Sequence, residues 1–329
     1  MREHLRGDFG NSLFVCSKPI QFLNCAAIAK HYKIKDANII VVTKGISDLI
    51  DFKRFIGGLY EGVVFERVDY VKTHKEAVSL HHGSRYKSLF IEDDRVSLYY
   101  ILDKIRRKNT IVFEEGFGTY LGSYKYSLSG IRYFRWLWSS LLFGCGLDFG
   151  EGRKTNHVMV RYPDLFKAIK PHLTHKVLPM PGHVSECNSA SSAIIDLYES
   201  DINFLLDAVK EKCIAVVLGK WGGIENNDKK SIKDNGFDLI FYKPHPHDGA
   251  PETEFAALPT PSWFPAELLI TIIARTAAWL TVYHYGSSVF LYKKDLPVNV
   301  TYRCLSSGER YDKLVEHIEA ARGIDKDLM

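Results

Sequence analysis

The sequence predicts an α/β fold in which a doubly wound parallel sheet occurs twice, and three observations lead there. Short apolar, β-branched runs alternate with helical segments along both halves of the chain. At 329 residues the chain exceeds what one small core needs and fits two domains of about 150 residues each. Three short motifs, Glu114-Glu115-Gly116, Lys243-Pro244-His245-Pro246 and Gly286-Ser287-Ser288, each follow such an apolar run. In open α/β sheets the carboxyl ends of strands are where ligands bind.

In the first half, strands are predicted at Ser12 to Ser17, Asn38 to Thr43, Val63 to Val68, Ser88 to Ile91 and Thr110 to Glu114. Helices between them are predicted at Pro19 to Tyr32, Ser47 to Ile56 and Arg95 to Arg107. The last carries Leu98, Ile101, Leu102 and Ile105 at helical spacing, which gives one buried face. The second half repeats the architecture without repeating the sequence. Its strands are predicted at Ile214 to Leu218, Asp238 to Tyr242, Trp279 to Tyr283 and Pro297 to Thr301. Its helices are predicted at Ile202 to Glu211, Pro265 to Ala277, Ser287 to Lys293 and Tyr311 to Ala321, the second opening on a proline that a first turn tolerates. Arg161 to Ser192, rich in Pro, Ser and His, reads as the crossover. The expected domains are 1–185, taking the acceptor, and 186–329, taking a nucleotide sugar. Two such Rossmann-like domains facing across a cleft describe the GT-B architecture.

Composition excludes several function classes. Hydrophobic residues at 46% and charged residues at 25% are those of an ordinary globular protein. A net charge of +4 favours anionic ligands but is too weak to imply nucleic acid. The six cysteines are widely spread with no Cys-x-x-Cys pair, which reads as free thiols in a reducing compartment. The charged segment Met1 to Gly10 lacks the apolar stretch of a signal peptide, and the uncharged run Trp136 to Leu147 is too short to cross a bilayer. A cytoplasmic location is the expectation, with peripheral contact to the inner membrane through 131–143, where Arg132, Tyr133, Arg135, Trp136 and Trp138 interleave cationic and aromatic side chains.

The motifs suit transfer of a sugar away from a nucleotide phosphate. Glu114 and Glu115 bring adjacent carboxylates to a glycine turn where an acceptor can approach a general base, and Glu115 is preferred because it abuts Gly116. His245, held between two prolines, can protonate or hydrogen-bond a departing phosphate, and Lys243 of the same motif joins the donor-binding set. Ser287 and Ser288 open a helical run, where backbone donors and hydroxyls favour phosphate. Gly219, in the loop Gly219-Lys220-Trp221-Gly222-Gly223 after a strand, is a further donor contact, and Glu267, in a helix's first turn, can accept from ribose hydroxyls or complement the helix dipole. Glu92-Asp93-Asp94 reads as a helix N-cap rather than a metal cluster.

With these residues assembled, the chain resembles the bacterial sialyltransferases that carry a D/E-D/E-G motif, an HP motif and an SS motif, among them polysialyltransferases and the lipooligosaccharide and O-antigen enzymes. Leu13-Phe14-Val15-Cys16 with Pro19-Ile20-Gln21-Phe22-Leu23-Asn24 is similar to their N-terminal segment. The resemblance implies a GT-B fold, CMP-sialic acid as donor, inversion at the anomeric carbon and no cofactor or metal. It implies Glu115 as base, with Glu114 open as the other carboxylate, His245 assisting the leaving CMP, Ser287 and Ser288 holding the phosphate, and Glu267 contacting the ribose. The expected acceptor is a galactose-terminated, lipid-linked surface glycan, with an α-2,3 linkage. Glycerophosphotransferases that use a CDP-linked donor resemble the chain around Lys243-Pro244-His245-Pro246 and are the rival enzymatic reading; a non-catalytic nucleotide- or lipid-binding subunit is the other.

Overall fold

The computed structural model describes residues 9–44, 49–95, 104–114, 116–120, 130–182, 184–197, 199–219, 224–244, 255–257, 264–285, 287, 289, 291, 299–305 and 315–316. In chain order its strands are β1 (Ser12–Cys16), β2 (Ala37–Val42), β3 (Arg67–Val71), β4 (Arg85–Ile91), β5 (Arg106–Phe113), β6 (His157–Val160), β7 (Val177–Pro179), β8 (Cys213–Leu218), β9 (Leu239–Lys243), β10 (Ala256–Ala257), β11 (Trp279–His284) and β12 (Val300–Cys304). Its α-helices are α1 (Pro19–His31), α2 (Leu49–Leu59), α3 (His74–Leu80), α4 (Ile131–Phe143), α5 (Pro163–Ile169), α6 (Val184–Leu197), α7 (Glu199–Val209), α8 (Asn226–Lys233) and α9 (Ala266–Ala274).

Two compact units result. One comprises Met1–Lys44, Tyr60–Gly182 and Lys313–Met329, the other Gly45–Leu59 and His183–Asp312. The first holds a seven-stranded sheet in the order β3-β2-β1-β4-β5-β6-β7, the second a five-stranded sheet in the order β10-β9-β8-β11-β12. Every pairing in both sheets is parallel. The sequence writes this into the strands themselves. β1 (SLFVC) is buried at every position and β8 (CIAVVL) at every position but its first, because a parallel sheet covered on both faces hides both sides of each strand. Parallel neighbours also require crossovers, and the intervening helices supply them.

The core of the first unit is aromatic. Phe14 stacks on Phe90 at 4.3 Å between centroids, and Phe65 meets Phe14 edge-on at 5.6 Å, geometry that satisfies the ring quadrupoles. Helix α1 opens with Pro19 at its first position and is buried continuously from Gln21 to Ala29, so it is an internal helix and not an amphipathic one. In the second unit α9 is buried in the same way from Glu267 to Ala274, with Pro265 as its N-cap.

Three expected elements sit elsewhere. The strand expected at Val63 to Val68 is β3, from Arg67, because residues 60–65 close a turn in which Gly62 takes φ of +73° and the amides of Val63, Val64 and Phe65 all donate to the Tyr60 carbonyl. The helix expected at Arg95 to Arg107 does not reach its end: Arg106 and Arg107 open β5, paired with Arg85 and Tyr86, and their charge sits at the exposed amino end of the sheet. Residues 96–103 lie outside the described set. The strand expected at Pro297 to Thr301 is β12, from Val300. Of the helices expected at Ser287 to Lys293 and Tyr311 to Ala321, most residues lie outside the described set. Arg161 to Ser192, expected as the crossover, contains α5, β7 and much of α6, and the division between the two units after Gly182 falls within it. All six cysteines are free thiols, and no helix among the described residues is long and apolar enough to cross a membrane.

Candidate functional site

Each of the three motifs begins where a strand stops. β5 ends at Phe113, directly before Glu114; Lys243 is the last residue of β9; and β11 ends at His284, three residues before Ser287. Glu115, His245 and Ser288 lie outside the described residues, so the geometry around them is carried by their neighbours.

In the second unit, β8 is the first strand laid down, with β9 on one side and β11 on the other, so the chain changes direction across the sheet at the β8–β11 pair. That is the position at which doubly wound sheets open a crevice for ligands. The register brings Leu218 level with Lys243, and Val217 level with both Tyr242 and Tyr283. Gly219, Lys243 and His284 therefore stand side by side on one carboxyl edge. The Gly219 amide donates to the Lys243 carbonyl at 2.9 Å, and a side chain at 219 would meet the Tyr242 ring, whose Cζ lies 2.9 Å from the place of a Cβ. Glycine is required here by that close approach.

Lys243 is buried, and desolvation of its ammonium pulls its pKa down to about 8, partly opposed by the negative charge of Glu267. Glu267 itself is buried in the first turn of α9, where the helix dipole favours a carboxylate. Four of the five expected donor contacts, Gly219, Lys243, Glu267 and Ser287, thus come from elements that meet along this one unit. The Ser287 hydroxyl accepts from the Val289 amide at 3.4 Å, the arrangement of a serine capping a turn.

His284 is a residue the sequence reading passed over. It is fully buried, and its Nδ1 accepts a hydrogen bond from the Ser287 amide at 3.2 Å. Burial penalises the imidazolium and lowers the pKa to about 4, so the ring is neutral at physiological pH, with its proton on Nε2. It fixes the backbone that enters Gly286-Ser287-Ser288. Beside it, the Tyr285 hydroxyl donates to Asp228 at 2.6 Å, which ties the same segment to α8. The signal in the sequence is a histidine at the last position of an apolar run that leads into glycine and serine.

In the first unit, Glu114 is completely buried. Its carboxylate accepts from the Tyr120 hydroxyl and from the Arg161 amide at 2.8 Å, and Arg161 Nε lies 3.7 Å away. Arg161 in turn donates through Nη2 to Asn24 Oδ1 at 3.0 Å, and the Tyr162 amide donates to the Tyr120 hydroxyl at 3.1 Å. The carboxylate thereby fastens the ends of β5 and β6 to α1. Gly116 follows with φ of +145°, a conformation open to glycine, so the acidic motif needs its third residue for the turn.

The helix that Glu92-Asp93-Asp94 is expected to cap falls on residues 96–103, outside the described set, but the contacts of the three carboxylates are described, and Asp93 Oδ1 accepts from the Arg95 amide at 2.8 Å. Glu92 accepts from the Ser17 hydroxyl at 2.8 and 3.0 Å across the β1–β4 switch point, Asp93 pairs with Arg95 at 2.8 Å, and buried Asp94 accepts from the amides of Gly150 and Gly152 and from Thr155 Oγ1. Among the described residues no group of three or more His, Cys, Asp or Glu side chains is arranged to hold a metal ion.

Two parallel, doubly wound units of this kind define a GT-B-like α/β fold. Among solved structures the chain is similar to UDP-GlcNAc 2-epimerase from Methanocaldococcus jannaschii, with a TM-score of 0.52 at 10% identity over 95% of this chain and 92% of that one. It is likewise similar to UDP-N-acetylglucosamine 2-epimerase from Rickettsia bellii, with a TM-score of 0.51 at 11% identity over 94% and 87%. At such identities the likeness is one of fold. No family model matches the sequence, and no curated protein is significantly similar to it.

Proposed function

We propose that this protein is an inverting glycosyltransferase that moves sialic acid from CMP-sialic acid to a galactose-terminated, lipid-linked bacterial surface glycan. The observation that carries the reading is that Gly219, Lys243 and the His284-anchored Ser287 stand along the carboxyl edge of one doubly wound sheet, with Glu267 near enough for its charge to act on Lys243. A cation, a backbone turn with a hydroxyl, and a carboxylate are what a nucleoside monophosphate presents partners for: phosphate to the first two, ribose hydroxyls to the third. The two epimerases named above act, by their names, on a nucleotide sugar, and that supports a donor of the same broad class.

In this reaction the Glu115 carboxylate takes the proton of the acceptor hydroxyl as its oxygen bonds to the anomeric carbon of the sugar. The bond from that carbon to the CMP phosphate breaks, and its electron pair leaves with the phosphate. His245 donates a hydrogen bond or proton there, while Lys243, Ser287 and Ser288 hold the departing charge. Glu114, buried among Tyr120 and Arg161, fixes the strand end that directly precedes Glu115 in the sequence. It is a positioning residue in this scheme.

The test is release of CMP from CMP-sialic acid by purified protein in the presence of a chelator, with and without a galactose-terminated lipid-linked acceptor. Acceptor-dependent release is expected, and Glu115→Gln and His245→Ala should each lower it by about two to four orders of magnitude. Consumption of CDP-glycerol in place of CMP-sialic acid, or turnover of UDP-GlcNAc, overturns the donor assignment. Binding of CMP-sialic acid without turnover under any acceptor would make the chain a non-catalytic subunit.

A further inference from the structure

Tyr285 joins two parts of the second unit's carboxyl edge that come from distant points of the chain. Before it stands His284, which ends β11 and accepts the Ser287 amide at Nδ1; after it the sequence runs straight into Gly286-Ser287-Ser288. The Tyr285 hydroxyl donates to Asp228 Oδ2 at 2.6 Å, and the same oxygen is within hydrogen-bonding reach of the Glu225 amide. Glu225 is the N-cap of α8, and Asp228 lies in the first turn of that helix. The phenol is therefore tied to the start of a helix 57 residues away in sequence.

The start of α8 is also where the Gly219-Lys220-Trp221-Gly222-Gly223 loop ends. Residues 220–223 lie outside the described set, but the chain is fixed on either side of them. On one side the Gly219 amide donates to the Lys243 carbonyl at 2.9 Å, and the Tyr242 ring leaves no room for a side chain. On the other, Ile224 is buried in a cluster with Val217, Tyr242 and Tyr283, and Tyr285 packs against that same cluster. The exit of the loop and the entry to the serine turn are thus moored to one side chain. A hydroxyl that donates to a carboxylate makes a charge-assisted bond, stronger than one between neutral groups. Segments held in this way before a ligand arrives need less ordering when it binds, and affinity gains accordingly.

We propose that Tyr285, acting through Asp228, is a positioning residue for the donor's phosphate, holding the end of the Gly219–Gly223 loop and the Ser287 turn at one spacing so that both serve the same nucleotide. The proposal rests on the nucleotide-sugar reading above and adds to it a residue that acts on the ligand only through the segments it holds.

Titration calorimetry of the full chain with CMP tests this. Tyr285→Phe keeps the packed ring and removes only the hydroxyl; it should weaken CMP binding about tenfold, and Asp228→Ala should do so by the same factor, because each breaks the one bond. Asp228→Asn keeps an oxygen that accepts and should bind CMP within about threefold of the wild type. The double variant Tyr285→Phe/Asp228→Ala should bind no more weakly than either single variant, as two residues that act through one contact do. Without ligand, amide hydrogen exchange at Ser287 and Val289 should quicken in Tyr285→Phe. A staple that serves stability alone would lower the unfolding temperature of Tyr285→Phe and leave its CMP affinity unchanged, and that result overturns the inference. A loss in Tyr285→Phe that Asp228→Ala does not share also overturns it, since the hydroxyl would then act on the ligand directly, and so do additive losses in the double variant. A wild type that binds CDP-glycerol or UDP-GlcNAc in place of CMP overturns the sialic acid reading alone, and the same variants then decide the inference on that ligand. A wild type that binds none of the three overturns both.

Discussion

Protonation of His284 should cost the protein stability in mild acid, and the size of the loss follows from its burial. The imidazole has a pKa of about 4 in the folded state and about 6.5 in an unfolded chain. Between these values the unfolded state binds more protons, so stability is complete above about pH 6.5 and declines as pH falls toward 4. For this single group the loss is about 2 kcal/mol by pH 5 and approaches 3 kcal/mol at pH 4. Carboxylates titrate over part of the same range, so the comparison must be with His284→Asn, whose side-chain oxygen can still accept from the Ser287 amide but binds no proton. Urea unfolding at pH 7.5, 6, 5 and 4.5 is the assay. The stability difference between wild type and variant should be constant above neutrality and shift by about 2 kcal/mol in the variant's favour by pH 5. A difference that stays flat across the series would refute the reasoning, since it would mean that the ring titrates normally and is reached by water. Because Ser287 hangs from the same nitrogen, donor affinity in the wild type should hold down to about pH 5 and weaken only as pH approaches 4, where the folded ring itself takes up the proton, and should do so less in the variant.

Other predictions concern the same two sheet edges. With Lys243 at a pKa near 8, its charged fraction falls from about nine-tenths at pH 7 to about one-tenth at pH 9, so the donor KM should rise about tenfold, while Lys243→Met should bind weakly at both pH values without that rise. Glu114→Gln leaves the buried Arg161 guanidinium without its carboxylate and should cost about 3–5 kcal/mol in urea unfolding, whereas Glu115→Gln should lower activity with little change in stability. Gly219→Ala drives a methyl group into the Tyr242 ring and should cost about 1–3 kcal/mol; combining it with Tyr242→Phe should recover part of that in thermal unfolding, because the hydroxyl is the atom nearest the new methyl.

How much of this was readable from the residues depends on what each residue is asked to do. β1, β2, β8 and β11 are nearly continuous apolar runs, and burial on both faces of a parallel sheet makes that pattern hard to mistake. β6 is only four residues long, so the HVMV run was not recognised and Arg161 at its end was taken for linker. Helix α4 starts at Gly130 with φ of +58° and no side-chain cap, which removes the start signal a sequence would offer. The places of Gly219, Lys243 and Ser287 were legible because each lies at or just after the end of a strong strand. The role of Glu114 was not, because Tyr120, Arg161 and Asn24 come from distant points of the chain and only the folded unit brings them to one carboxylate.

The segment Gly45–Leu59 departs from the first unit to build part of the second, and α2 buries Phe52, Phe55 and Ile56 there, in contact with α6. The backbone therefore passes between the units more than once, and no single cut of the polypeptide releases either of them whole. A fragment starting at residue 183 would expose the surface that α2 normally covers. An autonomous second unit would have to be built as a rearranged gene, with 45–59 spliced ahead of 183–312. The same threading means that α2 cannot dock until the chain well beyond it has been synthesised. The second unit therefore cannot complete its fold until both of its segments, 45–59 and 183–312, are present.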